Sequence, residues 1–172
     1  RYEFAGLFSG VHILPFFNPI DGADAGFDPV DHTTVDARLG TWQDIADMGA
    51  DYSIMADLIV NHVSSDSRQF RDVRKNASAS RYWDLFLRKT DVFPEDIPDS
   101  LVAEEMGRIY RPRPGAPFTP IRLEDGSNVE FWTTFSDKQL DINVEGPAGR
   151  AYLDSILQKF SQARVREIRL DA

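Results

Sequence analysis

Arg169 and Asp171 are the residues near the end of the chain whose types and spacing best suit chemistry. They fall in the strand-like run that begins at Val165, and side chains in a strand alternate with a period of two. Both side chains are therefore predicted to point to the same side. A neighbouring guanidinium favours the ionised form of a carboxylate, which is the form that a nucleophile needs. The competing interpretation is a structural ion pair. Taken without other signals, these two residues favour that interpretation.

Two other predicted strands also end in polar residues. Asp57 lies inside an apolar run that ends in Asn61 and His62, and the run 11–17 is followed by a loop with several carboxylates among glycines. Ligands bind at the carboxyl ends of strands in parallel α/β architectures. A single histidine at a strand end more often completes a hydrogen bond than catalyses, and Asp–Gly segments are common in exposed turns. Together, the three strand ends favour a functional site.

Charge composition restricts the partners. The chain of 172 residues has a formal net charge of −9, which disfavours a nucleic-acid partner because phosphate backbones select a clustered basic face. The one dense basic cluster runs from Arg108 to Arg113. Arginine binds phosphate in a bidentate manner, so this cluster is a candidate phosphate site, and the alternative is a solvated basic turn. No apolar run reaches the length of a membrane span, so a membrane partner is also disfavoured.

The elements that must position these residues follow a β–α–β pattern. Short apolar runs predict strands at Val11–Phe17, Tyr52–Val60 and Val165–Leu170. Thr41 followed by Asp44 resembles a capping box and predicts a short helix after the first strand. A second helix is predicted from a proline and apolar residues at helical spacing, namely Pro147, Ala148, Tyr152, Leu153, Ile156, Leu157 and Phe160. This order of elements implies a parallel sheet and an α/β fold.

The segment 63–146 interrupts this pattern. It is polar and irregular, holds most of the prolines, and is too long for an ordinary connection between a strand and a helix. It is therefore predicted to be an inserted small domain. Its own minor core is predicted to consist of aromatic residues, namely Tyr82, Trp83, Phe86, Phe93, Phe131 and Trp132.

The two ends of the chain look cut. The chain begins without a methionine or a signal-peptide pattern and stops directly after a strand-like run, so we expect a fragment of a longer protein. There is no cysteine, so disulfides, a thiol nucleophile and thiolate metal sites need not be considered. The lack of cysteine fits a reducing compartment such as the cytoplasm.

Several segments resemble the short shared segments of the α-amylase superfamily in order and spacing. They are Val11–Pro19, Asp57–His62, Gln139–Asn143 and Ile168–Ala172. Two further segments, Asp21–Thr33 and Ile109–Gly115, closely resemble the sucrose phosphorylase branch of that superfamily. The resemblance covers nearly the whole chain.

The resemblance implies part of a (β/α)8 TIM barrel, from about the second strand to the fourth. Residues 1–62 would hold barrel strands 2 and 3, and residues 63–146 would form a small domain B inserted between strand 3 and helix 3. Residues 147–172 would hold helix 3 and strand 4. Three of eight strands cannot close a barrel, so we expect the isolated chain neither to fold stably nor to catalyse.

The resemblance also implies residue roles in a retaining double displacement on an α-glucoside. Asp171 matches the nucleophile that forms a covalent glucosyl–enzyme, and Arg169 matches the arginine that orients it. The donor subsite is matched by Asp24, Phe27 and His62, the acceptor side by Phe135 and Gln139, and the fructose or phosphate site by Tyr110 and Arg113. The general acid glutamate and a second, transition-state-stabilising aspartate are expected beyond Ala172.

The expected reaction converts sucrose and phosphate into α-D-glucose 1-phosphate and fructose. A phosphorylase of glucosylglycerol or a related glucoside stays open, as do a hydrolase or transglucosidase of the same superfamily. The arginine-rich segment disfavours the hydrolase, and the joint presence of the matched site residues disfavours a non-enzymatic barrel. Sugar and inorganic phosphate are the expected partners, with no cofactor and no metal, and the resemblance leaves open a homodimer of the full-length protein.

Overall fold

The computed structural model describes residues 6–21, 24–110 and 117–171. The strands in these ranges are β1 (Gly10–Ile13), β2 (Phe17–Asn18), β3 (Asp31–Val35), β4 (Ser53–Ile59), β5 (His62–Ser64), β6 (Phe118–Arg122), β7 (Asn128–Trp132), β8 (Gln139–Asp141) and β9 (Val165–Asp171). The helices are α1 (Trp42–Asp51), α2 (Arg68–Asn76), α3 (Lys89–Val92), α4 (Asp99–Gly107) and α5 (Pro147–Gln162), with short 3-10 helices at Ala77–Ala79 and Trp83–Leu85. No helix in these ranges is both long and apolar enough to cross a membrane.

The chain divides into two compact units. The first unit consists of the residues up to Asn61 together with those from Arg150 onward. The second unit runs from His62 to Gly149. Each unit has its own sheets and its own buried core, so each is described separately.

The first unit is built on a three-stranded parallel sheet in the order β1–β4–β9. β4 is the central strand, and most of its residues are buried, as is typical of a strand covered on both faces. The register pairs Ile13 of β1 with Ala56 of β4, and Asp57 of β4 with Arg169 of β9. The parallel sheet predicted from the β–α–β pattern is therefore confirmed.

The first strand is shorter than predicted. β1 ends at Ile13, and Phe17 belongs instead to β2, which pairs antiparallel with β3 in a separate sheet. Pro15 lies between β1 and β2 and has no amide hydrogen to donate to a neighbouring strand, so it interrupts the pairing. The loop between β2 and β3 carries two of the predicted site residues, Asp24 and Phe27.

The predicted capping box of α1 is present. The Thr41 hydroxyl accepts a hydrogen bond from the Asp44 amide (3.3 Å), and the Asp44 carboxylate accepts one from the Thr41 amide (2.7 Å). This reciprocal pair satisfies two amide groups that the first turn of a helix leaves without partners. Trp42, the first residue of the helix, donates from its indole nitrogen to the carbonyl oxygen of Thr33 (2.8 Å), which attaches α1 to β3.

The predicted helix at Pro147 is also confirmed, with one correction to its buried face. Tyr152, Ile156 and Phe160 are buried, and the Phe160 ring stacks on the Phe17 ring at 6.2 Å. Leu157, however, is 38% exposed. It follows Ile156 by one residue and therefore lies about 100° further around the helix, at the edge of the buried stripe rather than inside it.

The second unit contains two antiparallel strand pairs, β5 with β8 and β6 with β7. Its core is formed by the rings of Phe70, Phe86 and Phe131, which meet edge-on at 5.0, 5.2 and 6.4 Å. The predicted core residues Phe86 and Phe131 are confirmed, since both are fully buried. Phe70, in the short helix α2, and Leu85, in a 3-10 helix, are also buried and were not predicted. The remaining predicted core residues are only half-buried, namely Tyr82, Trp83, Phe93 and Trp132.

Gly149 provides a test of the packing in the first turn of α5. A Cβ atom at this position would overlap the main-chain carbonyl of Asn143. We therefore expect Gly149→Ala to lower the free energy of unfolding by about 1–3 kcal/mol, the usual cost of overpacking. Gly107→Ala is the matched control, because a Cβ atom there meets nothing within 4 Å. Urea unfolding of the protein expressed from the complete reading frame measures both variants, and an equal effect in the two would contradict this explanation.

Candidate active site

Three charged side chains lie together towards the carboxyl ends of β4 and β9. Arg169 Nη1 lies 2.6 Å from Asp57 Oδ1, and Arg169 Nη2 lies 3.2 Å from Asp171 Oδ1. The strand register brings them together, because Asp57 pairs with Arg169 and Ile59 pairs with Asp171. The contact between Arg169 and Asp171 that the period of two predicts is therefore present. The sequence did not show that Asp57 shares the same guanidinium.

Asp57 is a fully buried carboxylate, and a buried charge is unfavourable unless it is paired and hydrogen-bonded. Arg169 is one partner, and His12 is the other, with Nε2 at 3.1 Å from Asp57 Oδ2. The hydrogen bond to Asp57 and the charge of Asp57 raise the pKa of Arg169, and Asp171 adds a smaller contribution in the same direction. The guanidinium is thus firmly held in its charged form.

His12 is a site residue that the sequence reasoning missed. A histidine inside a short apolar strand is the signal that could have found it. Its partner Asp57 lies 45 residues away, and their approach depends on β1 lying beside β4 in this register. That register is a property of the assembled sheet, so no local pattern predicts the contact.

Asp171 differs from Asp57 in its access to solvent. Its side chain is 24% exposed, whereas that of Asp57 is completely buried. The main-chain carbonyl of Asp171 accepts a hydrogen bond from the Val60 amide at 3.0 Å, which holds the end of β9 beside β4. An accessible carboxylate on a fixed backbone with a guanidinium beside it can act as a nucleophile or as an electrostatic stabiliser.

Phe27 is brought to the same group by the loop between β2 and β3. The Arg169 guanidinium carbon lies 5.8 Å from the centre of the Phe27 ring, within the range of a cation–π contact. The Phe27 amide donates to the carbonyl oxygen of Asp24 at 2.8 Å and closes a tight turn. The loop thus places Phe27 beside Arg169 and presents Asp24 from the same turn, while Gly22 and Ala23 lie outside the described residues.

The base of this loop is held by Arg38. Its Nη1 and Nη2 atoms lie 2.8 and 2.9 Å from the two carboxylate oxygens of Asp21, and Nη2 also lies 2.7 Å from Asp36 Oδ2. Asp36 further accepts the amides of Arg38 (3.0 Å) and Ile20 (3.1 Å). These hydrogen bonds, those from the Arg38 side chain first, hold the pKa of Asp36 well below its usual range.

Three predicted residues lie together in the second unit. His62 and Gln139 are both buried, and His62 Nε2 lies 3.1 Å from Gln139 Nε2. The Phe135 ring meets the His62 ring edge-on at 5.6 Å. The pairing of β5 with β8 places His62 opposite Asp141 and Ser64 opposite Gln139. Gln139 precedes Asp141 by two residues, so its side chain lies on the same face as that of His62. The cluster thus combines two buried polar side chains that contact each other with an aromatic ring beside them.

The basic segment from Arg108 to Arg113 was predicted to bind phosphate. Tyr110 is 88% exposed, and Arg113 lies outside the described residues, as do the other residues from 111 to 116. The Arg108 side chain, directly after α4, donates hydrogen bonds to Glu104 and Glu105 within that helix, at 2.7 Å each. Among the described residues, no three His, Cys, Asp or Glu side chains are grouped so as to hold a metal ion.

Comparison with known families identifies the class of protein. The family model described as the alpha amylase catalytic domain matches residues 7–172. The match covers nearly the whole chain, so this chain belongs to the α-amylase catalytic-domain family. It has the mixed α/β architecture of that family, and Asp57, Arg169 and Asp171 lie towards the carboxyl ends of its parallel strands.

Individual relatives point to one branch of the family. A sucrose phosphorylase from Agrobacterium vitis is 50% identical over 97% of this chain and 33% of that protein. The sucrose phosphorylase of Bifidobacterium adolescentis is 46% identical over 100% of this chain and 33% of that protein. The crystal structure of sucrose 6F-phosphate phosphorylase from Thermoanaerobacter thermosaccharolyticum matches with a TM-score of 0.87 and 33% identity over 96% of this chain and 34% of that chain. The chain thus spans about a third of the length of these relatives.

The loop clamp predicts a pH-dependent stability. The pKa of Asp36 is lower in the folded protein than in the unfolded chain, so its ionised form stabilises the fold above about pH 4, and this stabilisation is lost as the pH falls further. We expect Asp36→Asn to lower the free energy of unfolding at pH 7, with a difference from the parent that shrinks below about pH 4.

Urea unfolding at several pH values measures this difference. Arg38→Gln is the companion variant, because it removes the main cause of the lowered pKa and should produce the same pH dependence. A difference between parent and Asp36→Asn that stays constant from acid to neutral pH would show that the Asp36 carboxylate does not act through its charge.

Proposed function

We propose that this chain is part of a (β/α)8 barrel in which β1, β4 and β9 are barrel strands 2, 3 and 4. Residues 63–146 are then the inserted domain B, between residues 1–62 and 147–172 of the barrel. Two observations support this. The three strands are parallel and lie side by side in the sheet in the order in which they occur in the chain. The residues from His62 to Gly149 form a compact unit whose bounds nearly coincide with those of the proposed insertion.

The proposed reaction is the transfer of a glucosyl group from sucrose to inorganic phosphate. In the first step, an Asp171 carboxylate oxygen attacks the anomeric carbon, the bond from this carbon to the fructosyl oxygen breaks, and that oxygen takes up a proton. In the second step, a phosphate oxygen attacks the same carbon and Asp171 leaves as a carboxylate. The two inversions retain the α configuration, so the products are fructose and α-D-glucose 1-phosphate.

The observation that carries this proposal is the accessible Asp171 carboxylate held 3.2 Å from Arg169. The guanidinium lies beside this carboxylate both before the attack and when the covalent intermediate breaks down, so it stabilises the negative charge in each case. The identities of 50% and 46% to sucrose phosphorylases support sucrose as the glucosyl donor and phosphate as the acceptor. A hydrolase with the same nucleophile is the alternative, in which water takes the place of phosphate.

A retaining mechanism also needs a general acid about 5–5.5 Å from the nucleophile. Asp57 is unsuited to this role, because it is fully buried and its two oxygens face Arg169 and His12. A general acid must come within hydrogen-bond reach of the leaving oxygen, and a carboxyl group without solvent access whose two oxygens are already engaged cannot do so. We therefore assign the general acid to a residue of the full-length protein, in the portion that corresponds to the part of the relatives not covered by this chain.

The remaining predicted residues are proposed to bind the two substrates. Asp24, His62 and Phe27 hold the glucosyl unit, with the Phe27 ring as a platform whose position beside Arg169 supports this role. Phe135 and Gln139 lie on the acceptor side, where their contacts with the His62 ring support a shared surface. Tyr110 and Arg113 serve fructose and phosphate. Because the reaction uses inorganic phosphate, we place the full-length protein in the cytoplasm.

Asp171→Asn tests the nucleophile. An amide oxygen cannot form the glucosyl ester, so we expect formation of glucose 1-phosphate from sucrose and phosphate to fall by about 10⁴-fold or more. Asp125→Asn is the matched control, since it makes the same change in an exposed turn and should leave the rate unchanged. The assay uses the protein from the complete reading frame, with and without phosphate. Free glucose as the main product regardless of phosphate would reject the phosphorylase, and full turnover by Asp171→Asn would reject the nucleophile.

Arg113→Gln tests the phosphate site. If Arg113 binds phosphate, its loss should raise the KM for phosphate about tenfold, as expected for one charge-assisted hydrogen bond, and should increase the share of free glucose. Arg108→Gln is the control, because the Arg108 side chain is already engaged by Glu104 and Glu105. Equal effects of the two substitutions on the phosphate KM would mean that only the overall positive charge of the segment matters.

A further inference from the structure

We propose that His12 is a positioning residue for the glucosyl transfer. It acts through Asp57 on Arg169 and thereby fixes the guanidinium against Asp171. This inference rests on the proposed role of Asp171 as the nucleophile, and it assigns a task to a residue that contacts none of the reacting atoms.

The three strands of the parallel sheet each contribute one member of this chain of contacts. His12 stands on β1, Asp57 on β4 and Arg169 on β9, and β4 is the central strand of the three. His12 Nε2 lies 3.1 Å from Asp57 Oδ2, and Arg169 Nη1 lies 2.6 Å from Asp57 Oδ1. The two oxygens of Asp57 thus face two different strands, with one nitrogen opposite each.

The second contact matters because Asp57 has no access to water. Its side chain is completely buried, so an oxygen that loses its protein donor has no solvent to replace it. Arg169 is the nearby group able to fill that place, because a guanidinium carries donors on three nitrogens. Without His12, both Asp57 oxygens would draw on Arg169, and its Nη2 would turn away from Asp171.

The two contacts of Arg169 show which of them would be lost without His12. Its contact with Asp57 is the shorter one at 2.6 Å, and its contact with Asp171 is the longer one at 3.2 Å. The buried carboxylate therefore dominates the orientation of the guanidinium, and a small rotation towards Asp57 would be enough to break the contact with Asp171. His12 prevents that rotation by satisfying Asp57 Oδ2 from the opposite side.

Kinetics of His12 variants test this proposal in the protein from the complete reading frame. His12→Leu removes the nitrogen, and we expect kcat to fall about 10- to 100-fold, the size typical of a misplaced reacting group, while the KM for sucrose changes less than about threefold because substrate contacts are kept. His12→Gln places an amide nitrogen near the position of Nε2, so it should recover most of the lost kcat.

Ser53→Ala is the matched control. Ser53 Oγ donates to Glu167 Oε1 at 2.8 Å, which is also a side-chain hydrogen bond between strands of this sheet but lies at the amino-terminal end of β4. If His12 served only to hold the sheet together, then Ser53→Ala and His12→Leu would lower the melting temperature without a selective loss of kcat. An unchanged kcat in His12→Leu, or the same loss of kcat in Ser53→Ala, would overturn the proposal.

Two further comparisons keep the result decisive. If His12→Leu fails to fold, then His12→Gln is compared with His12→Asn, whose shorter amide cannot reach Asp57. Similar kcat values for these two variants would overturn the hydrogen-bond role.

Asp171→Asn is measured in the same series. Full turnover by that variant would reject the proposed function itself, whereas inactive Asp171→Asn beside unimpaired His12→Leu would reject only the inference about His12.

Discussion

The buried carboxylate of Asp57 is the constraint on which the arrangement at the carboxyl ends of β4 and β9 depends. A carboxylate without access to water needs donors on both oxygens, and it finds them on the two neighbouring strands, in His12 and Arg169. The same carboxylate therefore links the three strands and contacts the guanidinium. Asp171 contacts the same guanidinium, with its Oδ1 at 3.2 Å from Arg169 Nη2.

The loop between β2 and β3 is held by a second ionic group, centred on Arg38. Arg38 bridges Asp21 and Asp36 at the base of the loop, and the guanidinium is largely exposed. Exposed ion pairs are weakened by salt, whereas buried ones are screened far less. Both groups join a half-exposed guanidinium to a buried carboxylate, since Arg169 and Asp57 are 47% and 0% exposed and Arg38 and Asp36 are 55% and 4% exposed. The contact of Arg38 with Asp21, whose side chain is 68% exposed, is therefore the one that salt weakens most.

Elements whose start is marked by a full local motif were predicted well. The capping box of Thr41 placed the start of α1, and Pro147 placed the start of α5, because both depend on a few neighbouring residues. The first strand was predicted too long, since an apolar run does not show where Pro15 ends the pairing. The core of the second unit was only half predicted, because aromatic residue type does not reveal which rings are enclosed, and Phe70 is the clearest example.

For the site, the sequence by itself determined that Arg169 and Asp171 share one side of a strand, because that follows from the period of two. Shared segments were enough to indicate the family, which the match to the alpha amylase catalytic domain confirmed. Only the tertiary structure decided that Asp57 and His12 belong with them. Asp57 is 112 residues from Arg169 and 45 from His12, and strand register across such distances is set by the packing of the whole sheet rather than by any local pattern.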